Sequence, residues 1–168
     1  MPPTEIPKRY REIIVSGSPH EMGQQIGEMA RKEVRGFCEV ALERVNKTVR
    51  VSREQAMSVA AACIPHAEQY SRNMVAELRG TAEAANVTIE DLMLLQVRNQ
   101  LQPGRDAGCT ALSLAADATA DGHAIVAQNW DNDPLLDEFT VVLTRRPAEK
   151  PAFMTATQAG LISYLGFN

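Results

Sequence analysis

The sequence contains no hydrophobic run that approaches the roughly 20 residues of a membrane-spanning helix. It also lacks a basic excess: its formal net charge of -4 argues against a general nucleic-acid binder, which needs a basic patch. Its first residues lack the apolar stretch of a secretory signal. These absences predict a protein without membrane or nucleic-acid partners, and they favour a cytoplasmic location.

Cysteine is scarce as well. Cys38, Cys63 and Cys109 are odd in number and far apart, which fits neither a disulfide framework nor a CxxC metal pair. The histidines show no metal-ligand spacing. We therefore expect reduced thiols, no metal site and no cofactor. What is present is a chain of 168 residues, 45% hydrophobic and 23% charged, typical of one globular domain with a real core.

Helix signals dominate residues 1–104. Ser18 as N-cap, Pro19 at the first helical position and Glu21 two residues later form a capping box. An apolar stripe at steps of three and four follows and predicts one helix as far as Val45.

Four further positions divide this helical region. A second capping box begins at Ser52, and its helix is expected to end or kink at Pro65. Gly80 is expected to cap the next helix, and the last helix is expected to open at Thr88.

Two glycines interrupt the first predicted helix. Gly23 and Gly27 lie four residues apart on one face, and each costs about 1 kcal/mol of helix propensity relative to alanine. Such a cost suggests that another backbone passes close to this face.

The pattern changes from helical to extended after residue 104. Residues 110–114 alternate with a period of two, and residues 124–131 predict a returning strand beyond the turn signal Asp121-Gly122. Further strands are expected from Phe139 and from Phe153 onward.

Cys109 stands where the two patterns meet, behind Gly108 and at the start of a predicted strand. If the Gly108–Cys109 bond is cut, Cys109 carries a thiol and an α-amine, and the amine can take the thiol proton. The thiol itself can make the cut by attacking the Gly108 carbonyl, and glycine tolerates the strained backbone this needs. On the returning strand, Asp131 could orient the new ammonium, while the amide of Gln128 or Asn129 could hold a substrate carbonyl.

Less specific interpretations of the same residues stay open. Cys109 can be a small buried residue, which would make the chain a non-catalytic helical binding module with a small sheet. Trp130 can line a substrate pocket or pack between a sheet and a helix. A conventional Cys–His hydrolase is a poor fit, because no histidine lies where it would pair naturally with Cys109.

Several segments resemble the penicillin (isopenicillin N) acyltransferase family of autoproteolytic N-terminal-nucleophile (Ntn) cysteine hydrolases. They are Gly108-Cys109-Thr110, Gln128-Asn129-Trp130-Asp131, the stretch from Gly160 to Gly166-Phe167-Asn168, the early Gly17-Ser18-Pro19-His20-Glu21-Met22-Gly23 with Gly27, and Leu78-Arg79-Gly80. The resemblance covers essentially the whole chain, and the Cys-Thr and Gln-Asn-Trp-Asp pair is its most specific part.

The resemblance implies an α+β fold, in which a helical part precedes the first antiparallel strands of an Ntn αββα sandwich. It implies a precursor that cleaves before Cys109 into an α chain, 1–108, and a β chain that begins the sheet in 109–168. Asp131 matches the catalytic carboxylate of the family. Gln128 stands where ceramidase-type and bile-salt hydrolases carry arginine, which favours the penicillin-acyltransferase branch.

The implied activity is acyl transfer or hydrolysis at linear amide bonds through a thioester on Cys109. Thr110, Gln128, Asn129 and Trp130 would support substrate binding. The implied partner is a small-molecule acyl amide or an acyl donor such as acyl-CoA.

One departure from the family concerns length. The family's β chain is much longer than residues 109–168, and its oxyanion-stabilising asparagine lies beyond Asn168. We therefore expect a precursor or fragment that is inactive alone. Its strand edges would need the remainder of the β chain or another protomer.

Overall fold

The computed structural model describes residues 9–46, 50–101, 109–163 and 165–167. Its helices are α1 (Pro19–Met29), α2 (Arg31–Val45), α3 (Arg53–Tyr70), α4 (Arg72–Ala85) and α5 (Ile89–Val97). Its strands are β1 (Arg11–Gly17), β2 (Cys109–Leu114), β3 (Ile125–Trp130), β4 (Thr140–Pro147), β5 (Phe153–Gln158) and β6 (Leu165–Phe167). The predicted α+β class is confirmed. Within the described residues, no helix combines the length and hydrophobicity of a transmembrane segment.

The strands form two separate sheets. A mixed sheet has the order β1-β4-β5-β6, in which β1 runs parallel to β4 and the other neighbours are antiparallel. Strands β2 and β3 form an antiparallel pair of their own. The main core packs apolar residues of the helices against β1 and β4, including Val34, Phe37, Leu92, Leu95, Ile13, Val15, Val141 and Leu143.

The predicted helix starts are confirmed. Ser18, Ser52 and Thr88 are N-caps, and each completes a capping box with the residue three positions later. The single helix expected as far as Val45 is wrong, because α1 and α2 are separated at Ala30, whose φ of -111° and ψ of 27° leave the helical region.

Of the end or kink expected at Pro65, the end is wrong, since α3 continues through it to Tyr70. Proline removes one backbone donor, which leaves the carbonyl of Ala61 without its usual helical partner. Both residues lie on the exposed side of α3, where water can satisfy that carbonyl. The boundary lies instead at Ser71, whose hydroxyl accepts the Met74 N–H at the start of α4.

Gly80 does not cap a helix but lies inside α4, which ends at Asn86 in the left-handed conformation. The glycine serves packing, because a Cβ at Gly80 would overlap the His20 carbonyl oxygen of α1. A Cβ at Gly23 would overlap the Glu77 carbonyl oxygen, and one at Gly27 would meet the Thr81 carbonyl oxygen. The predicted close approach of a second backbone is therefore confirmed, and that backbone belongs to α4.

Replacing Gly23 with alanine is expected to destabilise the protein by about 2–3 kcal/mol, because the new methyl group meets backbone that cannot rotate away. Denaturant unfolding monitored by circular dichroism measures this loss. Glu28→Ala, at an exposed position of the same helix, is the matched control and should change stability by less than about 0.5 kcal/mol. Equal stability of the two variants would contradict the backbone contact.

A buried ion pair joins α4 to the mixed sheet. Arg145 on β4 is 1% exposed and donates from Nη2 to Glu77 Oε1 at 2.7 Å and from Nε to the same oxygen at 3.0 Å. Its remaining donors reach Thr155 Oγ1 at 3.2 Å and the Ile162 carbonyl at 2.6 Å. The guanidinium also lies 5.4 Å from the ring centroid of Phe153. This one side chain therefore connects α4, β4, β5 and the segment after β5.

Arg145→Met is expected to lower the free energy of unfolding by about 3–5 kcal/mol, because it leaves the Glu77 carboxylate buried without its cation. The double variant Glu77→Met/Arg145→Met should be more stable than Arg145→Met alone, since no buried charge remains. Denaturant unfolding of both variants tests this order. A double variant less stable than the single one would show that the pair is not electrostatically coupled.

Candidate active site

The β2–β3 pair brings the predicted site residues together at one end. Its register places Cys109 opposite Trp130 and Thr110 opposite Asn129. Directly opposite residues share a face of an antiparallel pair, and residues two apart on a strand do so as well. Cys109, Trp130 and Gln128 therefore share one face, while Thr110 and Asn129 share the other.

Asp131 follows the last residue of β3 and is exposed. It is adjacent in sequence to Trp130, the residue that pairs with Cys109. In the described part of the chain, the side chains of Cys109 and Asp131 form no hydrogen bond with each other. Gly108, the other residue of the predicted scissile bond, lies outside the described residues. The arrangement thus places a thiol and a carboxylate at the same end of one hairpin.

This hairpin is exposed almost throughout. Every residue of β2 is exposed, and so is all of β3 except the half-buried Trp130. Apolar side chains are included, with Leu112 at 50% and Val126 at 64% exposure. The Cys109 thiol is consequently open to small reagents.

Cys38 occupies the opposite kind of environment. It is buried, and this burial raises the pKa of its thiol to about 12. It lines a cavity of about 380 Å³ together with Arg35, Glu39, Arg53, Asn86, Val87, Thr88 and Asp91. A thiol that stays protonated is a poor nucleophile. Cys38 is therefore a core residue.

Cys63 is half-buried and packs against the core. Across the described ranges, no group of three or more His, Cys, Asp or Glu residues is arranged to hold a metal ion.

Sequence reasoning missed two buried polar residues, Arg98 and Gln158, which contact each other. Arg98 opens the 3₁₀ turn Arg98–Leu101 at the end of α5 and is 7% exposed. It donates to Oε1 of the fully buried Gln158 at 3.1 Å. A sequence signal for Arg98 was available, since it falls three residues after Leu95 and continues the apolar face of α5.

At pH 8, iodoacetamide is expected to alkylate Cys109 readily and Cys38 hardly at all in the folded protein, because only the first is exposed and the second stays protonated. Peptide mass spectrometry after a short reaction measures the two extents. Labelling in denaturant, where both thiols should react, is the control. Equal labelling in the folded protein would contradict the assignment of Cys38 to the core.

No protein-family model matches the chain. A curated relative is the acyl-coenzyme A:6-aminopenicillanic-acid-acyltransferase 40 kDa form of Emericella nidulans, which is 24% identical over 160 residues. The match covers 93% of this chain and 43% of that protein, so the chain spans less than half the length of the relative. The similarity supports a distant, penicillin acyltransferase-like relationship.

Proposed function

We propose that this chain carries the nucleophile of an Ntn-type acyltransferase or amidohydrolase whose precursor cleaves itself between Gly108 and Cys109. The observation that carries the proposal is the exposed Cys109 at the start of β2, paired with the strand that ends next to Asp131. The similarity to an acyltransferase over nearly the whole chain supports it.

Self-cleavage begins when the Cys109 sulfur attacks the carbonyl carbon of Gly108. The peptide C–N bond breaks as the thiol proton passes to the leaving nitrogen, which gives a thioester and a free α-amine on Cys109. Water then hydrolyses the thioester, which restores the thiol and leaves a carboxylate on Gly108. In the intact chain the Cys109 nitrogen is part of an amide and is not basic. The α-amine that acts as the base is therefore available only after cleavage.

In turnover, the new α-amine takes the thiol proton and the thiolate attacks the acyl carbonyl of the substrate. The amine or thiol of the donor leaves with a proton, and an acyl thioester remains on Cys109. An amine acceptor or water then releases the acyl group. Asp131 orients the α-ammonium, and the Gln128 amide, which lies on the Cys109 face of the hairpin, binds a polar atom of the substrate.

The substrate class follows from the site and from the relative. The name of the Emericella nidulans protein pairs acyl-coenzyme A with 6-aminopenicillanic acid. Trp130 lies on the Cys109 face of the hairpin and offers an apolar surface for an acyl group. We propose a small-molecule acyl amide or an acyl-CoA as donor, with no cofactor.

The exposed hairpin also bears on the complete enzyme. Leu112, Leu114, Ile125 and Val126 are all at least 41% exposed. Apolar residues clustered on a strand pair favour coverage by further polypeptide. We propose that the remainder of a β chain or another protomer covers them and completes the αββα sandwich.

Intact-mass analysis of the purified protein tests self-cleavage. We expect two species split between residues 108 and 109, with Cys109 as a new N-terminus, because the cut is intramolecular. Cys109→Ala should abolish the split, whereas Cys63→Ala, which removes a half-buried thiol elsewhere, should leave it intact. A chain that stays whole on long incubation would overturn self-processing.

The alternative function is a non-catalytic binding module, and the exposed apolar hairpin is the observation that favours it. The same mass measurement separates the two, since a binding module stays whole. Release of free thiol from acyl-CoA, or of amine from an acyl amide, by the cleaved form then tests turnover.

A further inference from the structure

The cavity of about 380 Å³ beside Cys38 lies between α2, the start of α3 and the loop that joins α4 to α5. Proteins bind small molecules in cavities of about 300–1,000 Å³. None of the described residues that line this cavity belongs to the β2–β3 hairpin. The cavity is therefore large enough for a ligand, and its chemistry can be considered apart from that of Cys109.

One pair of charged residues in the cavity wall is already neutralised. Arg53 Nη2 donates to Asp91 Oδ1 at 2.8 Å. The other oxygen of Asp91 accepts from the Thr88 hydroxyl at 2.7 Å and from the Thr88 backbone N–H at 3.1 Å. Each oxygen of Asp91 thus has a partner within the protein. This carboxylate serves the cap of α5 and the contact between α3 and α5.

Arg35 and Glu39 are the charged residues of the wall that have no partner. They lie four residues apart on α2, and both side chains are exposed. Within the described residues, neither side chain forms a hydrogen bond or an ion pair. An arginine that precedes a glutamate by four residues is in the less favourable order for an ion pair along a helix. The cavity therefore presents one positive and one negative group, and each is available to a ligand.

This arrangement selects the charge of the ligand. A simple anion is attracted by Arg35 and repelled by Glu39, whereas a simple cation meets the reverse, so neither gains from both groups. A zwitterion is attracted by both. Side chains four apart on a helix have Cβ atoms about 5–6 Å apart, so two long side chains can reach the two charges of one small molecule. An α-amino acid carries its ammonium and its carboxylate on a single carbon and meets this requirement.

The rest of the wall suits the remainder of such a molecule. Val87 and the buried Cys38 offer apolar surface, because a protonated thiol packs as a small hydrophobic group. The Asn86 side chain also lines the cavity, and in the described part of the chain its amide has no hydrogen-bond partner. That amide can donate to a carboxylate or accept from an ammonium.

We propose that this cavity binds a free α-amino acid with an apolar side chain, whose carboxylate is held by Arg35 and whose ammonium is held by Glu39. Hydrogen bonds between two charged groups are the strongest contacts that the cavity can form with a ligand. The inference does not depend on the proposed function, since it uses no residue of the hairpin and no covalent step.

The first test is an NMR titration of the ¹⁵N-labelled full chain at about pH 6, where an α-amine is protonated. The probes are L-phenylalanine and L-leucine, with N-acetyl-L-phenylalanine, which lacks the ammonium, and L-phenylalaninamide, which lacks the carboxylate. We expect the backbone amide signals of Asn86 and Val87 to shift with L-phenylalanine, with a Kd of about 1 mM or tighter. Each derivative should bind about tenfold more weakly or worse, because it loses one charge-assisted contact.

The second test assigns the contacts. Arg35→Gln and Glu39→Gln each remove one charge at an exposed position that has no hydrogen bond in the described structure, and each should weaken the binding of L-phenylalanine about tenfold or more. Lys32→Gln and Glu43→Gln are the matched controls, since they remove the same charges from exposed positions of α2 that do not line the cavity. Both controls should bind as the natural protein does. Arg35→Gln should leave the affinity for L-phenylalaninamide unchanged, because that probe has no carboxylate to lose.

Three outcomes would overturn the proposal. The first is the absence of any shift at Asn86 and Val87 with both amino acids up to about 10 mM. The second is equal affinity for L-phenylalanine and either derivative, which would show a site for a simple anion or a simple cation. The third is an unchanged affinity for L-phenylalanine in both Arg35→Gln and Glu39→Gln, which would place binding elsewhere.

Discussion

Glu77 is the residue on which the packing of the helices against each other and against the mixed sheet depends most. Its backbone carbonyl lies where a Cβ of Gly23 would stand, so α1 and α4 can pack closely only because residue 23 has no side chain. Its carboxylate accepts from Arg145, which in turn reaches β5 and the segment after it. One residue thus couples the contact between two helices to the contact between helices and sheet. A shift of α4 along α1 would break the buried ion pair, and the two constraints therefore select one register.

Local signals in the sequence predicted the helix starts well, because a capping box satisfies the first backbone donors of a helix with side chains only three residues apart. Helix ends were predicted less well. Pro65 and Gly80 both resemble stop signals, yet α3 and α4 run through them. In each case tertiary surroundings decided: the freed carbonyl near Pro65 faces water, and Gly80 is used for a backbone contact with α1. Neither the exposure of that carbonyl nor the contact of Gly80 with α1 can be predicted from a single sequence.

The candidate site likewise combines features that could be predicted from the sequence with features that could not. The pairing of Cys109 with the strand before Asp131 was predictable, since a hairpin joins segments that are close in sequence. The parallel pairing of β1 with β4 and the contact of Arg98 with Gln158 join segments far apart in sequence, and neither was predicted. Helices α1–α5 lie between β1 and β4 in the sequence, and strands β2, β3 and β4 lie between Arg98 and Gln158, so neither contact follows from a local pattern. The roles assigned to Thr110, Gln128, Asn129, Trp130 and Asp131 stay predictions, as does the cut at Gly108.

The core and the β2–β3 hairpin provide two different environments for a cysteine thiol. A thiol within the body, such as Cys38, is protected from solvent and stays protonated, and it is chemically inert for that reason. A thiol on the hairpin is open to reagents but gains little positional definition from packing. Catalysis needs both access and fixed geometry. Under the proposed function, the polypeptide that covers the exposed apolar hairpin supplies the fixed geometry.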